Sequence, residues 1–283
     1  MQGFLPDASG FLISGLPSRL FFSEAILTPD ERAGASPRGE TRSVSFLPPG
    51  EPAGSELLPP RTQQALAAFL RAYESDTLRR FSIRLHSNIP PGKGLSSSST
   101  DILSVLRVVN EYLQTGCSTE DLYRIAAGIE PTDPCLSDEI VIFRQNAGCV
   151  ESSIILPPMD ILYFDAGPGR EIDTLEVQRT WTPGTGKFFG WLLQKFRLAA
   201  ETGDYDGLFD SITYSAEYNQ TVITLPRFTE YCQLARETKS GLMVAHSGTI
   251  VGMLTRPQET SELLARLQTT TAERVYCEQY PSS

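Results

Sequence analysis

Three observations predict an α+β fold with mixed or antiparallel sheets. Short apolar runs of strand length, such as Phe81-Ser82-Ile83-Arg84-Leu85 and Leu242-Met243-Val244-Ala245, are interspersed with stretches whose apolar residues recur at helical spacing. Strands and helices do not alternate regularly, as a doubly wound βαβ fold would require, and no internal repeat stands out. The 283 residues, 40% apolar and 20% charged, can bury a sizeable core in one large or two smaller domains.

In chain order, Gly3 to Leu27 reads as a β-meander, with apolar runs at Phe11-Leu12-Ile13, Leu20-Phe21-Phe22 and Ala25-Ile26-Leu27 separated by turn residues. Thr28 to Gly39 is rich in Pro, Gly and charge and reads as an exposed loop. Ser43 to Leu47 gives another strand, and Pro48 to Pro60 a proline-rich connection. Leu66, Phe69 and Leu70 mark a helix over Arg61 to Tyr73, and Phe81 to His86 alternates as a half-buried strand. Ile102, Leu103, Val105, Leu106, Val109, Tyr112 and Leu113 predict a long helix. Ser118 with Asp121 predicts a capping box for the next one, which the prolines of Glu130-Pro131-Thr132-Asp133-Pro134 stop. Strands are expected at Val141-Ile142-Phe143 and Ser152 to Leu156, with Asn146-Ala147-Gly148 turning between them. Pro157-Pro158 is the expected domain boundary. Beyond it, Met159 to Phe164 reads as a strand, and helices are expected at Lys187 to Ala200, Tyr205 to Asn219 and Leu225 to Thr238. Two strands, Leu242 to Ala245 and Ile250 to Leu254, flank His246-Ser247-Gly248-Thr249. Glu259 to Leu267 and Arg274 to Cys277 close the unit.

The formal net charge of −10 argues against nucleic acid or a basic membrane patch as the main partner. The five cysteines show no CxxC spacing and suggest neither a zinc cluster nor a disulfide framework, which fits a reducing cytoplasm. The amino end is a poor signal peptide, and no apolar run approaches the roughly twenty residues that span a bilayer.

Pro90-Pro91-Gly92-Lys93-Gly94-Leu95-Ser96-Ser97-Ser98-Ser99-Thr100-Asp101 joins a strand exit, a glycine-bearing loop and a hydroxyl-rich helix start. The first amides of a helix lack intrahelical partners and the macrodipole there is positive, so this arrangement suits a phosphate. Gly92 and Gly94 remove Cβ atoms that would hold an anion off, and the hydroxyls can bond phosphate or complete the shell of Mg²⁺. A Gly/Ser run can equally be a solvated loop, and a serine before a helix an N-cap.

The segment matches, almost position for position, the Pro-x-x-x-Gly-Leu-(Gly/Ser)-Ser-Ser motif of the GHMP kinases, the superfamily of galactokinase, homoserine kinase and mevalonate kinase. With Ile129-Glu130-Pro131-Thr132-Asp133 and Val244-Ala245-His246-Ser247-Gly248-Thr249-Ile250-Val251-Gly252, the chain resembles the L-threonine kinases of cobalamin synthesis. The resemblance implies a two-domain α+β fold: an amino-terminal kinase domain over residues 1–157 and a ferredoxin-like domain over residues 158–283, with ATP in the cleft between. The family opens with a strand and a Gly-Glu-Leu segment where this chain has Met1-Gln2-Gly3, as though the first strand were truncated; the expectation is that either the true start lies upstream or the acceptor site is altered.

The implied cofactors are ATP and Mg²⁺. Pro91, Gly92, Lys93, Gly94, Leu95, Ser96, Ser97, Ser98 and Ser99 form the implied phosphate loop, with Gly248 of the third motif lying against it. Ser98 and Glu130 are the implied Mg²⁺ ligands. Asp133 is the candidate for orienting or deprotonating the acceptor hydroxyl, although an Asp between Thr and Pro also forms turns. His246 is not a candidate base. The implied acceptor is L-threonine, converted to L-threonine O-3-phosphate, which is then decarboxylated for the cobalamin side chain. Homoserine, serine or another small alcohol, or a catalytically weak nucleotide-binding role, are the alternatives.

Overall fold

The structure is a computed structural model and describes residues 1–14, 18–29, 58–73, 81–173, 177 and 179–280. The chain opens with an antiparallel hairpin, β1 (Gln2–Phe4) and β2 (Gly10–Ile13). It then leaves that sheet. β3 (Ser23–Pro29) pairs with β4 (Phe81–Ser87) in a separate two-stranded ribbon, Ser23 opposite Ser87 and Pro29 opposite Phe81. Before β4 comes α1 (Pro60–Ala72), whose first-turn proline sacrifices no intrahelical bond. After it come α2 (Ser97–Leu113) and α3 (Thr119–Ala127), the latter closed by the expected Ser118/Asp121 capping box. The hairpin of β5 (Ile140–Arg144) and β6 (Cys149–Ile154) returns to the first sheet, giving the order β1-β2-β5-β6.

The second half begins with β7 (Met159–Asp165), followed by α4 (Pro183–Thr202), α5 (Tyr205–Asn219) and α6 (Phe228–Glu237). β8 (Gly241–Val244), β9 (Ile250–Thr255), α7 (Thr260–Thr270) and β10 (Tyr276–Tyr280) complete a sheet of order β10-β7-β9-β8. Every strand pair among the described residues is antiparallel. This is the α+β class the sequence predicts.

Two strands are buried on both faces, which is why they read as unbroken apolar runs instead of alternating ones. In β5, Val141 and Phe143 join the core beneath α1, α2 and α3, while Ile140 and Ile142 face a second core. In β7, Leu162 and Phe164 pack toward α6, α7, β8 and β9. Met159, Ile161 and Tyr163 enter that same second core with Phe11, Ile13 and the apolar faces of α4 and α5. Pro157-Pro158 therefore separates two sheets, yet one core runs across it.

Several sequence expectations need correction. The opening is a hairpin and a departing strand, not a meander. Leu20-Phe21-Phe22 is a loop: Phe21 packs against Tyr163 and Tyr276, and Asn88 ties the backbone of Phe22 and Leu20 from both sides. The strand expected at Ser152 to Leu156 runs instead from Cys149 to Ile154, because its pairing with β5 starts directly after the turn. α4 starts four residues before Lys187, with Thr182 and Thr185 forming its capping box ahead of a glycine-rich first turn that looks like loop. The strand at Ser43 to Leu47, most of the Thr28 to Gly39 loop and most of the Pro48 to Pro60 connection lie outside the described residues. No helix among the described residues is long and apolar enough to cross a membrane.

Candidate active site

A cavity of about 820 Å³ opens where the glycine- and serine-bearing loop of residues 91–99, the Glu130 to Pro134 turn, the β1/β2 hairpin, α5 and the β8/β9 turn converge. Its wall takes in Pro91, Gly92, Gly94, Ser96, Ser97, Ser98 and Ser99, together with Glu130 and Asp133. The structure thus brings together most of the residues selected from sequence. Leu95 and Lys93 do not reach the wall, and Gly248 acts from behind the loop.

β4 delivers the chain to the loop and α2 carries it away, with Ser97, Ser98 and Ser99 forming the helix's first turn. The backbone N–H of Thr100 bonds the Ser96 carbonyl at 2.9 Å, so the amides of the preceding residues have no carbonyl of their own helix to bond. Ser96 occupies the N-cap position in the left-handed region (φ 60°) and does not cap the helix with its side chain. Its hydroxyl instead donates to Asp133 Oδ2 at 2.5 Å. A non-glycine residue held at positive φ costs about 1 kcal/mol or more, a strain that surrounding contacts must maintain.

The loop glycines serve packing as much as anion approach. Gly92 (φ 66°) leaves space that a Cβ would take from Glu171 Cβ, at 2.8 Å, and Ile172 N, at 2.9 Å. A Cβ on Gly94 (φ 80°) would overlap that of Ala245, and one on Gly248 would overlap the Lys93 carbonyl. The third glycine motif therefore lies directly on the loop of Gly92 to Gly94.

Glu130 and Asp133 leave α3 on the irregular turn that the prolines impose. Glu130 is 5% exposed and accepts from Arg61 Nη1 at 2.7 Å, while Arg61 Nη2 reaches Asp173 at 3.0 Å. Asp133 is held by Ser96, by Gln145 Nε2 at 2.8 Å, and by its own N–H donating to Ser99 Oγ at 3.1 Å. Burial raises the Asp133 carboxyl above its ordinary value. Bonds from Ser96 and Gln145 oppose the rise, and the like charge of Glu130 adds to it.

Lys93 has a different place from the phosphate contact its loop position suggests. Its ammonium pairs with Asp165 at 2.7 Å and donates to the carbonyls of Gly167 and Arg170, at 3.0 and 2.7 Å. His246 has Nδ1 buried without a partner, and burial, followed by neighbouring positive charges that include Arg179, holds its pKa well below the ordinary imidazole value.

Four cavity residues escaped sequence reasoning. Arg61 looked like an ordinary helix start, and Gln145 like part of a turn. Arg179 and Ser215 carried no signal, since only the packing of α5 and the β8/β9 turn brings them to the wall. Arg179 Nη2 donates to Asn219 Oδ1 and to the His246 carbonyl, both at 2.6 Å, and pairs with no carboxylate among the described residues. Burial lowers its pKa to about 10. The Ser215 hydroxyl, on the same cavity, is buried without a partner.

Comparison with known proteins agrees with this geometry. Residues 61–138 match the family model for the GHMP kinases N terminal domain, a span that holds the glycine- and serine-bearing loop, Glu130 and Asp133. The homoserine kinase of Cytophaga hutchinsonii superposes with a TM-score of 0.63 at 14% identity, covering 95% of this chain and 87% of that one. The fold is that of the GHMP kinases. Within that fold, the sequence resembles the L-threonine kinases: 29% identity with the enzyme of Salmonella typhimurium strain LT2, over 70% of this chain and 67% of that protein, and 26% with that of Citrobacter freundii, over 61% of each. The chain thus aligns with about two thirds or less of those relatives' length.

Proposed function

We propose that the chain is an ATP- and Mg²⁺-dependent kinase that phosphorylates the side-chain hydroxyl of a small amino acid, L-threonine, giving L-threonine O-3-phosphate for the cobalamin side chain. The observation that carries this reading is the shared cavity. One wall holds a hydroxyl-rich helix start, Glu130 and an anchored Asp133; the same cavity holds Arg179, a half-buried cation with only neutral partners among the described residues.

The donor set fits Mg²⁺. Glu130 offers one hard carboxylate and Ser98 a hydroxyl, and no cluster of three or more metal-binding side chains forms an all-protein cage among the described residues. Mg²⁺ favours this kind of site, taking one or two carboxylates and filling its shell with water and phosphate oxygens. Bound there, it would neutralise charge on the phosphates. Arg61 holds the Glu130 carboxylate and would balance its charge where no metal is bound.

Residues 92–99 would cradle the phosphates through backbone amides and hydroxyls. Asp133, turned by Ser96 and Gln145, would accept the acceptor's hydroxyl proton as transfer proceeds. Arg179 would pair with the amino acid's carboxylate through its remaining guanidinium donors, with Ser215 adding a hydroxyl. The transfer is direct and in line, and its rate comes from positioning and charge neutralisation.

The test is ADP release with Mg-ATP and L-threonine, L-serine, L-homoserine or 1-amino-2-propanol, which is L-threonine without its carboxyl. We expect selective turnover of L-threonine. Arg179→Ala should raise the KM for L-threonine roughly a hundredfold, as loss of a charged bond does, leave the KM for ATP unchanged, and abolish the preference for L-threonine over the amino alcohol. Turnover of no hydroxy amino acid, or an unchanged preference in the variant, would overturn the acceptor assignment.

A further inference from the structure

The phosphate loop touches the carboxy-terminal half at four places. Ile172 N donates to Gly92 O at 3.0 Å, and Ile250 N to Lys93 O at 3.3 Å. Gly94 and Gly248 sit too close for any side chain. The fourth contact is the Lys93 ammonium, whose three N–H donors are matched by Asp165 Oδ2 and the carbonyls of Gly167 and Arg170.

Asp165 is itself fixed at the end of β7. Its Oδ1 accepts from Thr249 Oγ1 at 2.5 Å and from the Gly167 N–H at 2.9 Å. Thr249, fully buried, precedes β9 and belongs to the glycine motif that backs the loop. Lys93, Asp165 and Thr249 thus form a chain from the loop through the end of β7 to the start of β9. The Lys93 side chain is only 12% exposed. Turning it to a phosphate would strip three acceptors of their donor and leave the Asp165 carboxylate uncompensated, in a protein of net charge −10.

We propose that Lys93 is a positioning residue: it pins the phosphate loop to the carboxy-terminal half through Asp165 and does not itself bind phosphate. The inference rests on the kinase reading for its functional consequence, though not for the pin.

The experiment compares Lys93→Met, Asp165→Asn and the double variant with the wild-type chain. Three quantities are read: binding of a non-hydrolysable ATP analogue with Mg²⁺, the KM values for ATP and acceptor, and amide exchange at residues 92–96 without nucleotide. A pin predicts that each single change weakens nucleotide binding roughly tenfold and that the double variant is no worse, because both remove one interaction. The KM for the acceptor stays put, and exchange quickens in all three variants. A phosphate ligand predicts opposite signs: Lys93→Met weakens binding, whereas Asp165→Asn frees the ammonium and tightens it. That outcome overturns the proposal. So do unchanged analogue binding and KM values in all three variants, since the pair would then be merely structural. Should Lys93→Met fail to fold, Asp165→Asn alone still separates the two signs. If the wild-type chain binds no nucleotide, the kinase reading falls, and exchange at residues 92–96 still decides whether the pin exists.

Discussion

Asp133 shows how a single side chain can be set against the stability of its own fold. Burial holds its carboxyl above the ordinary value of 3.8, so ionisation becomes more unfavourable in the folded chain than in the unfolded one. Stability therefore falls as pH rises from the ordinary carboxylate value through the raised one. Asn at this position cannot ionise, yet its amide can still bond Ser96 and accept from Gln145. Asp133→Asn should accordingly melt higher than the wild type at neutral pH, with the difference vanishing near pH 3, as calorimetry across pH would read. On the proposed mechanism the same variant loses about 10²–10⁴-fold in kcat, the usual span for a general base. The acid limb of the wild-type rate profile should lie above the ordinary carboxylate range. A variant that is no more stable at neutral pH would contradict the burial argument, whatever its activity.

At the scale of elements, the loop and α2 form a unit whose shape comes from what lies behind it. Gly94 has a φ of 80° and no room for a Cβ beside Ala245. Gly94→Ala would therefore meet both a backbone penalty of about 1–2 kcal/mol and a clash with the β8/β9 turn. We expect the loop to shift by a fraction of an ångström. The KM for ATP should rise while the acceptor's KM changes little, a split that steady-state kinetics with each substrate varied would measure. Equal effects on both constants would mean that the turn moves instead of the loop.

Across the whole molecule, the second core draws residues from both four-stranded sheets. Phe189 is 1% exposed and meets Phe11 from β2 edge-on at 6.3 Å, with Tyr218 of α5 on another side. Gly3 lies against the same ring, where a Cβ would overlap it. Phe189→Ala should cost about 3–5 kcal/mol. Because its neighbours come from both halves, the loss should lower one shared unfolding transition, followed by far- and near-ultraviolet circular dichroism together. Two separated transitions would show that the halves unfold independently and that the second core does not couple them.

The α+β class, most of the helices and the glycine- and serine-bearing loop at the start of α2 were legible along the chain, because each rests on local patterns: periodic apolar residues, caps, prolines and a twelve-residue motif. Glu130 and Asp133 could be found for the same reason, lying at a helix exit that two prolines make unmistakable. What the chain could not reveal is what meets what. The apolar run at Leu20 looked like a strand until Asn88 and the aromatic pair of Tyr163 and Tyr276 claimed its backbone and its ring. Lys93 looked like a phosphate ligand, and only the approach of Asp165, 72 positions further on, shows where its charge is spent. Arg61 and Arg179 were invisible, since an arginine's role depends on which anion it lacks or holds, and here that is decided by segments distant in sequence. Local propensity follows from neighbours along the chain; the balance of buried charge follows from neighbours in space, and that balance shapes the candidate site.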